Sequence, residues 1–316
     1  MAKWALILVV AASVLWGGWW VVGARATEAA ALEAIAEAEA RGWDVARDDL
    51  SVRGFPNRFD LTLTEPRITA PAGWTLSAPI LGAFALAYRP NHVIAVGPDR
   101  MDLATATFGD VAITSDDLRA SLIVSASTDP LLDRATIVTD GLSFAAEAGA
   151  VTLARGQIAT RRANGPTVHD VAIDLSDLSI PGLRDVVQTV DADATVTFDR
   201  PLGAGDPPRL DTLDLRATTF SWGEVGGTLS GRMSVTSDGT PRGDFTLRLI
   251  GWERLLDLAV QAGLIPAGRA PLVAAGLRGL GGEDGAATVP IVLADGRLQL
   301  LGFPIASLPR LPVPGG

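Results

Sequence analysis

The chain has 316 residues, a formal net charge of −10 and no cysteine. Without cysteine it has no disulfide scaffold, no thiolate metal site and no cysteine nucleophile. No basic run is longer than Arg161-Arg162. The composition therefore argues against a nucleic-acid partner, because phosphate binding needs a clustered positive surface.

An uncharged apolar stretch runs from Trp4 to Ala24, between Lys3 and Arg25. About 20 apolar residues is the length that crosses a bilayer as a helix. Tryptophan favours the membrane interface, and its placement toward both ends of the stretch is typical of aromatic belts. The sequence predicts a transmembrane anchor over residues 1–25, with the anchor residues Trp4, Trp16, Trp19, Trp20 and Arg25.

The alternative for residues 1–25 is a cleaved signal peptide, because Ala24-Arg25-Ala26 resembles a small-x-small cleavage site. The apolar run is longer than a typical signal core of about 7–15 residues, which favours the anchor. Both interpretations send the rest of the chain across the membrane. Lys3 and the α-amino group favour a cytoplasmic N-terminus.

Residues 26–42 are rich in strong helix formers and end at Gly42, which suits a helix C-terminus, so they predict a helical stalk. From Trp43 onward, apolar and polar residues alternate, which is typical of half-buried antiparallel strands. About a dozen such strands are separated by turn signals. A helical stripe predicts an insertion at about residues 252–280, and Asp116, Asp117 and Leu118 suggest a further helical turn.

The predicted fold is therefore mainly β. It comprises an extended antiparallel sheet, either a curled groove or a sandwich, with an N-terminal transmembrane helix and a short helical region near the C-terminus. Residues 43–316 are predicted to form one β-rich domain. Its clearest hairpin is Thr288 to Gly302, where an Asp295-Gly296 turn makes Leu293 face Leu298 and Ile291 face Leu300. The same register makes Val289 face Gly302.

One strand pattern, from Leu50 to Ile68, is interrupted by Gly54, Phe55, Pro56 and Asn57. Apolar side chains occupy even positions before the interruption and odd positions after it, which reverses the face they point to. Two structures explain the reversal. One is a hairpin with the four residues as its loop, and the other is a continuous strand with a bulge at Gly54. Either makes these residues a structural turn that keeps one sheet face apolar.

Catalytic motifs are not found in the sequence. His92 and His169 are the only histidines, and neither has a nucleophile elbow or metalloprotease motif beside it. Lys3 is the only lysine, so a phosphate-binding Walker loop is missing. Acidic pairs such as Asp191/Asp193 lack the ligand density of a calcium loop. We therefore expect no catalytic, cofactor-binding or metal-binding residue, no cofactor and no enzymatic activity.

Several stretches are similar to a known family. The anchor, LSVRGFPNRFDLTLTEP, LAYRPNHVIAVGP and TFGDVAITSDDLRASL together resemble the alphaproteobacterial domain of unknown function 2125 family. The resemblance covers most of the chain and implies no activity. A looser architectural analogy is to the AsmA-like envelope proteins, whose single membrane helix carries a long periplasmic sheet implicated in lipid traffic. It implies an inner-membrane, single-pass protein with most of its chain in the periplasm.

Two functions follow from one apolar sheet face. A curled sheet predicts an envelope protein that binds or helps transfer lipid in an apolar groove. A closed core predicts a structural or interaction protein of the envelope without a ligand. The expected partners are the membrane, through the N-terminal helix, together with lipid or other envelope proteins, and no nucleic acid.

Overall fold

The computed structural model describes residues 2–183, 185–203, 207–261, 266–282, 285–300 and 303–311. The fold is mostly β, with antiparallel strands, a long N-terminal helix and short helices near the C-terminus. The predicted fold class is therefore confirmed. The chain divides into two compact units, which are Met1–Ala126 with Ala135–Thr152 and Ser127–Arg134 with Leu153–Gly316.

Helix α1 (Ala2–Ala40) includes both the predicted anchor and most of the predicted stalk, without a break at Thr27. Among the described residues it is the one helix with the length and composition of a membrane span. A signal sequence near the N-terminus has the same features, so the helix is compatible with a single-pass anchor or with a signal sequence. Gly42, at a φ of 87°, follows the helix as predicted for a C′ glycine.

The first unit is built on short strands that pair antiparallel. They are β1 (Asp44–Ala46), β2 (Asp49–Arg53), β3 (Arg58–Thr64), β4 (Arg67–Thr69), β5 (Thr75–Ser77), β6 (Ile80–Leu86), β7 (Arg89–Val96), β8 (Arg100–Thr105), β9 (Gly109–Thr114), β10 (Asp117–Val124) and β11 (Leu132–Ala146). Strand β10 begins at Asp117, so the helical turn suggested for Asp116 to Leu118 is wrong. Tertiary pairing of β10 with β7 overrides that local signal.

Strands β1 to β10 are halves of longer strands that break midway, whereas β11 is one long strand. β3 pairs with β6 while β4 pairs with β5, and β6 pairs with β7 while β5 pairs with β8. Main-chain hydrogen bonds continue through the breaks, from Glu65 N to Pro79 O (3.0 Å) and from Ala78 N to Pro66 O (3.1 Å). The first unit is therefore an antiparallel meander with one crease across it. The breaks explain why the structure has more strands than the sequence predicts.

The core of the first unit lies inside this crease. Ala78, Met101 and Ile113 are buried together. Their partly buried neighbours come from both sides of the crease, for example Leu76 of β5 and Leu81 of β6. The creased sheet therefore covers part of its own apolar face.

The second unit is a single meander with two short helices. Its elements are β12 (Gly149–Arg162), β13 (Val168–Ser179), β14 (Val187–Phe198), β15 (Leu210–Trp222), β16 (Val225–Val235), β17 (Pro241–Ile250), α2 (Trp252–Gln261), a 3₁₀ turn (Ala267–Arg269), α3 (Ala270–Gly279), β18 (Ala287–Ala294), β19 (Arg297–Leu300) and β20 (Phe303–Ser307). Strands β13 to β20 pair antiparallel in chain order. Strands β11 and β12 contribute residues to both units.

The predicted hairpin and helices of this unit are confirmed where they are described. Leu293 pairs with Leu298 and Ile291 with Leu300, and the turn has φ of 52° at Asp295 and 68° at Gly296. Positive φ at both positions is the type I′ turn that Asp-Gly favours. The predicted Val289–Gly302 pair and the Leu264 end of the helical stripe lie outside the described residues.

Helices α2 and α3 cover the C-terminal part of the second sheet. Trp252 and Leu256 of α2 are buried with Ala274 and Leu277 of α3 and with Val289 of β18. The helical spacing of Trp252 and Leu256 puts both on one face, and that face packs on the strands. This is the largest buried cluster among the described residues.

We predict that Gly231→Ala destabilises the second unit. A Cβ at Gly231 would lie 2.3 Å from Asp244 O and 2.6 Å from the Phe245 Cα, and the φ of 154° disfavours a side chain. Overpacking and backbone strain each cost about 1–3 kcal/mol. Hydrogen exchange with mass spectrometry should show faster exchange in β16 and β17.

The matched control is Gly276→Ala in α3, where an added Cβ meets nothing within 4 Å. Alanine in a helix interior is better than glycine by about 1 kcal/mol, so this variant should not lose protection. Equal exchange in β16 for the wild type and Gly231→Ala would contradict the predicted clash.

Candidate functional site

The predicted anchor residues and the predicted turn meet in the first unit. Three indole N–H groups of α1 donate hydrogen bonds to main-chain carbonyls at the ends of two β-hairpins. The pairs are Trp16 to Pro56 O (3.0 Å), Trp20 to Arg58 O (2.7 Å) and Trp19 to Ala87 O (3.3 Å). The indole groups therefore connect the apolar helix to the sheet. We call this contact the helix–hairpin junction.

Apolar packing reinforces the helix–hairpin junction. The Trp20 ring meets Phe55 edge to face, with centroids 5.4 Å apart, and lies 6.2 Å from the Phe59 ring. Phe59 is buried together with Ala24 of the helix and Ala87 of the β6–β7 hairpin. Aromatic pairs in these arrangements add about 0.5–1.5 kcal/mol beyond their area burial.

The turn of residues 54–57 is the loop between β2 and β3. Val52 pairs with Leu61 and Arg53 with Asp60, so the structure has the hairpin rather than a continuous strand with a bulge. In that register Val52 and Phe59 lie on the same side, and both belong to the junction. The Gly54 carbonyl accepts hydrogen bonds from the main-chain N–H groups of residues 57 and 58. The Phe55–Pro56 peptide is cis.

The structure therefore brings Trp16 and Trp20 together with the predicted turn, while Trp19 contacts the neighbouring β6–β7 hairpin. It leaves two predicted anchor residues outside the contact, since Trp4 is 72% exposed and Arg25 is exposed. Sequence reasoning missed that the two predicted groups touch. The sequence does contain a signal for this contact. Trp16, Trp20, Gly23 and Thr27 recur every three or four residues, so they share one helix face.

Gly23 of α1 lies against the Phe59 ring in the helix–hairpin junction. A Cβ placed there would lie 2.3 Å from the Phe59 Cζ, so only glycine fits without moving the ring. Phe59 is 4% exposed and has little room to move. The glycine thus lets the helix backbone contact the sheet directly.

The second unit carries a continuous apolar surface on one side of its sheet. Antiparallel registers align apolar positions from strand to strand, for example Ile173 with Ala192 and Val190 with Phe220. These side chains are partly exposed. This apolar face consists of Val171, Ile173, Leu175, Val190, Ala192, Val196, Leu213, Leu215, Phe220, Leu229, Met233, Phe245 and Leu247.

A bulge in β15 keeps this apolar face continuous. Leu215 pairs with Gly231 and Thr218 with Leu229, so an irregularity separates the two pairs. The extra residue changes the parity, and Phe220 therefore returns to the side of Leu215. The bulge also places Arg216 on the opposite, polar side.

The polar side of the second sheet carries charges that neutralise each other. Arg216 donates to Thr195 (2.6 Å), to Asp170 (3.2 Å) and to Asp193. The Arg216 hydrogen bond holds the pKa of the Asp170 carboxyl below its usual range. Asp191 and Asp193 line a shallow hollow of about 360 Å³ with Ala172 and other residues. Within the described ranges, no group of three or more His, Asp or Glu is arranged to hold a metal.

His92 lies on β7 of the first unit, beside a serine. Its Nε2 is 2.9 Å from the Ser121 Oγ across the β7–β10 pair. In the described part of the chain, Ser121 is its only side-chain partner. A serine–histidine pair without an acid to orient the ring lacks the third member of a catalytic triad.

His169 is the other histidine and is buried in the second unit, with 1% of its surface exposed. Its Nε2 has no hydrogen-bond partner among the described residues, and its Nδ1 lies 3.4 Å from Thr160 Oγ1. The ring packs edge to face on Phe198, with centroids 6.2 Å apart. Burial lowers the pKa of His169, and Arg162 lowers it further while Asp133 opposes the change. Burial and Arg162 therefore favour the neutral imidazole over the charged form.

These features define a mostly β protein whose candidate membrane helix is hydrogen-bonded to its sheet. The profile of the uncharacterised proteins conserved in bacteria, DUF2125, matches residues 20–309. The chain belongs to this family, as its sequence stretches predict. No curated protein and no solved structure shows significant similarity to this chain.

We predict that Gly23→Ala loosens the helix–hairpin junction. The added methyl group displaces Phe59, and misfit of this kind costs about 1–3 kcal/mol. Hydrogen exchange of the full chain in detergent should therefore be faster in β2, β3 and helix residues 16–27.

Gly18→Ala is the matched control on the same helix, because an added Cβ there meets nothing within 4 Å. Both substitutions raise helix propensity equally, by about 1 kcal/mol, so any difference between them reports the clash. The same exchange in β2 and β3 for both variants would exclude a tight contact at Gly23.

We predict that the second unit loses stability as pH falls from about 7.5 to about 5. The unfolded state takes up a proton on His169 near the ordinary histidine pKa, whereas the folded state resists protonation. Below that pH the unfolded state binds more protons, so the free energy of unfolding decreases. His169→Gln should flatten this dependence in urea denaturation between these two pH values.

His92→Gln removes the other histidine and should leave the pH dependence of the second unit in place. If the free energy of unfolding of His169→Gln falls between these pH values as much as that of the wild type, the buried imidazole does not cause the pH dependence.

Proposed function

We propose that this protein is a non-enzymatic envelope protein that binds lipid. In this proposal α1 anchors it in the inner membrane, and the two units lie in the periplasm. The acyl chain of the lipid lies on the apolar face of the second unit. The observation that carries the proposal is the apolar face itself, which crosses five consecutive strands and remains partly exposed.

Apolar surface is costly in water, so an acyl chain that covers the apolar face is stabilised there. Each buried methylene contributes about 0.8 kcal/mol, so an acyl chain laid on such a face gains several kcal/mol. Helices α2 and α3 cover the face near β17 and β18, where Leu249, Ala287 and Val289 pack against them. On β13 to β16, by contrast, Ala194, Val225 and Val235 are the buried hydrophobics among the described residues.

The chemistry of an acyl chain fits the remaining part of the apolar face. Apart from His169 and Thr218, the side chains on this side of the sheet are apolar, and the arginines of β15 and β16 point to the polar side. Arg216 and Arg232 are paired there with Asp193 and Asp214. The surface therefore suits the tail of a lipid rather than its phosphate.

An enzymatic role has less support. His92 has a serine partner without an orienting acid, and His169 is buried and neutral. Among the described residues, His92 therefore lacks the orienting acid of a triad, and His169 is buried away from any substrate. The competing function, a ligand-free structural or interaction protein, becomes an outcome of the experiment below.

We predict that Leu175→Gln lowers the amount of lipid that purifies with the protein. Leu175 lies on the apolar face opposite Val190, and a glutamine amide facing an acyl chain costs about 1–3 kcal/mol. This corresponds to at least about a fivefold loss of bound lipid per protein. Native mass spectrometry and lipid extraction of the full chain in mild detergent measure it.

Ser176→Gln is the matched control, because Ser176 is the next residue of β13 and points to the opposite side, where it pairs with Thr189. It should retain the bound lipid. A wild-type protein free of lipid would favour the structural or interaction function. Equal loss in both variants would show that lipid does not bind on the apolar face.

A further inference from the structure

The helix–hairpin junction occupies part of the apolar stretch that the membrane needs. Residues 3–15 of α1 are free of the sheet, and Leu6, Leu8 and Leu15 among them are 65–75% exposed. These 13 residues rise about 20 Å at 1.5 Å per residue. The hydrocarbon core of a bilayer is about 30 Å thick. Roughly the last 10 Å must therefore be crossed by Trp16 to Ala24, the segment to which two hairpins are attached.

The hairpin ends carry the side chains that suit this depth. Phe55 and Tyr88 are 61% and 67% exposed at the tips of the β2–β3 and β6–β7 hairpins. Aromatic residues favour the membrane interface, and arginines extend their charged ends toward headgroup phosphates. Arg53, Arg58 and Arg89 are exposed beside the tips. The membrane edge consists of Arg53, Phe55, Pro56, Arg58, Tyr88 and Arg89.

Main-chain carbonyl groups at the membrane edge accept hydrogen bonds from within the protein, as a site with little water requires. Gly54 O accepts from the N–H groups of residues 57 and 58, and Asn57 O accepts from Ala87 N (2.8 Å). The carbonyls of Pro56, Arg58 and Ala87 accept the three indole hydrogen bonds. Unpaired main-chain groups are costly in lipid, so this pairing permits immersion.

We propose that the membrane edge is immersed in the headgroup region of the bilayer that α1 spans. Phe55 and Tyr88 reach the upper acyl chains, and the three arginines contact lipid phosphates. Arg58 retains its ion pair with Asp60 (2.8 Å), which leaves the edge with a net positive charge in a chain of net charge −10. The proposal rests on α1 as a membrane anchor, and it does not depend on lipid binding by the apolar face.

Single cysteines test the depth of the membrane edge, because the natural chain contains none. Tyr88→Cys and Phe55→Cys each receive a small environment-sensitive fluorophore on the full chain. Phe108→Cys is the matched control, since Phe108 is 66% exposed at the β8–β9 hairpin, on the other side of the crease. Val10→Cys reports the span itself. The proteins are reconstituted in vesicles of phosphatidylethanolamine and phosphatidylglycerol that contain nitroxide-labelled lipids.

The expected result is quenching of the Tyr88 and Phe55 labels, by at least about half, by a nitroxide placed at the headgroup or the upper acyl chain. The Phe108 label should not be quenched, and the Val10 label should be quenched by a nitroxide deep in the acyl chain. Phe55 packs on Trp20, so Phe55→Cys can loosen the junction. Tyr88 is 67% exposed, and the label at Tyr88→Cys therefore gives an independent measure of depth.

Two negative results of the quenching experiment have different meanings. If Val10 is quenched and both edge labels behave like Phe108, α1 spans the membrane but the edge stays in water, and the immersion proposal is wrong. If no label is quenched, the anchor of the proposed function is wrong as well.

Discussion

Strand alternation is the constraint on which the rest of this structure depends. Alternation gives the sheet of each unit an apolar side, for example across β13 to β17, and that side must be removed from water. The first unit does this by creasing its meander, so that Leu76 and Leu81, from the two sides of the crease, pack against the same buried cluster. The second unit places α2 and α3 over one end of its sheet. The part of the apolar face beyond those helices is the surface from which we infer lipid binding.

The helix–hairpin junction has a different physical basis. Tryptophan indoles combine a large apolar ring with one hydrogen-bond donor, so they bury well only where an acceptor is available. The carbonyls of Pro56, Arg58 and Ala87 supply those acceptors. The aromatic residues that the sequence assigns to a membrane belt therefore also hold the helix to the sheet. Both roles are compatible when the hairpin tips lie at the membrane surface.

The sequence predicted most of the secondary structure but only part of the site. The Asp295-Gly296 hairpin is confirmed in register because turn type and alternation are local properties. The break at residues 54–57 left two structures open, since parity alone does not distinguish a hairpin from a bulge. The structure has the hairpin there, while a bulge at Arg216 keeps the face continuous elsewhere. Nothing local in the sequence marks Arg216 as that position.

The sequence by itself determined the apolar N-terminal helix, the mainly β fold and the family, because length, period and short motifs are readable along the chain. Only the tertiary structure decided that Trp16 and Trp20 contact the turn and that Gly23 meets Phe59. It also decided that His169 is buried with no partner for its Nε2 among the described residues. The contacts of the helix–hairpin junction join residues about 30 to 70 positions apart. Long-range proximity depends on how strands pair and crease, which no local pattern encodes.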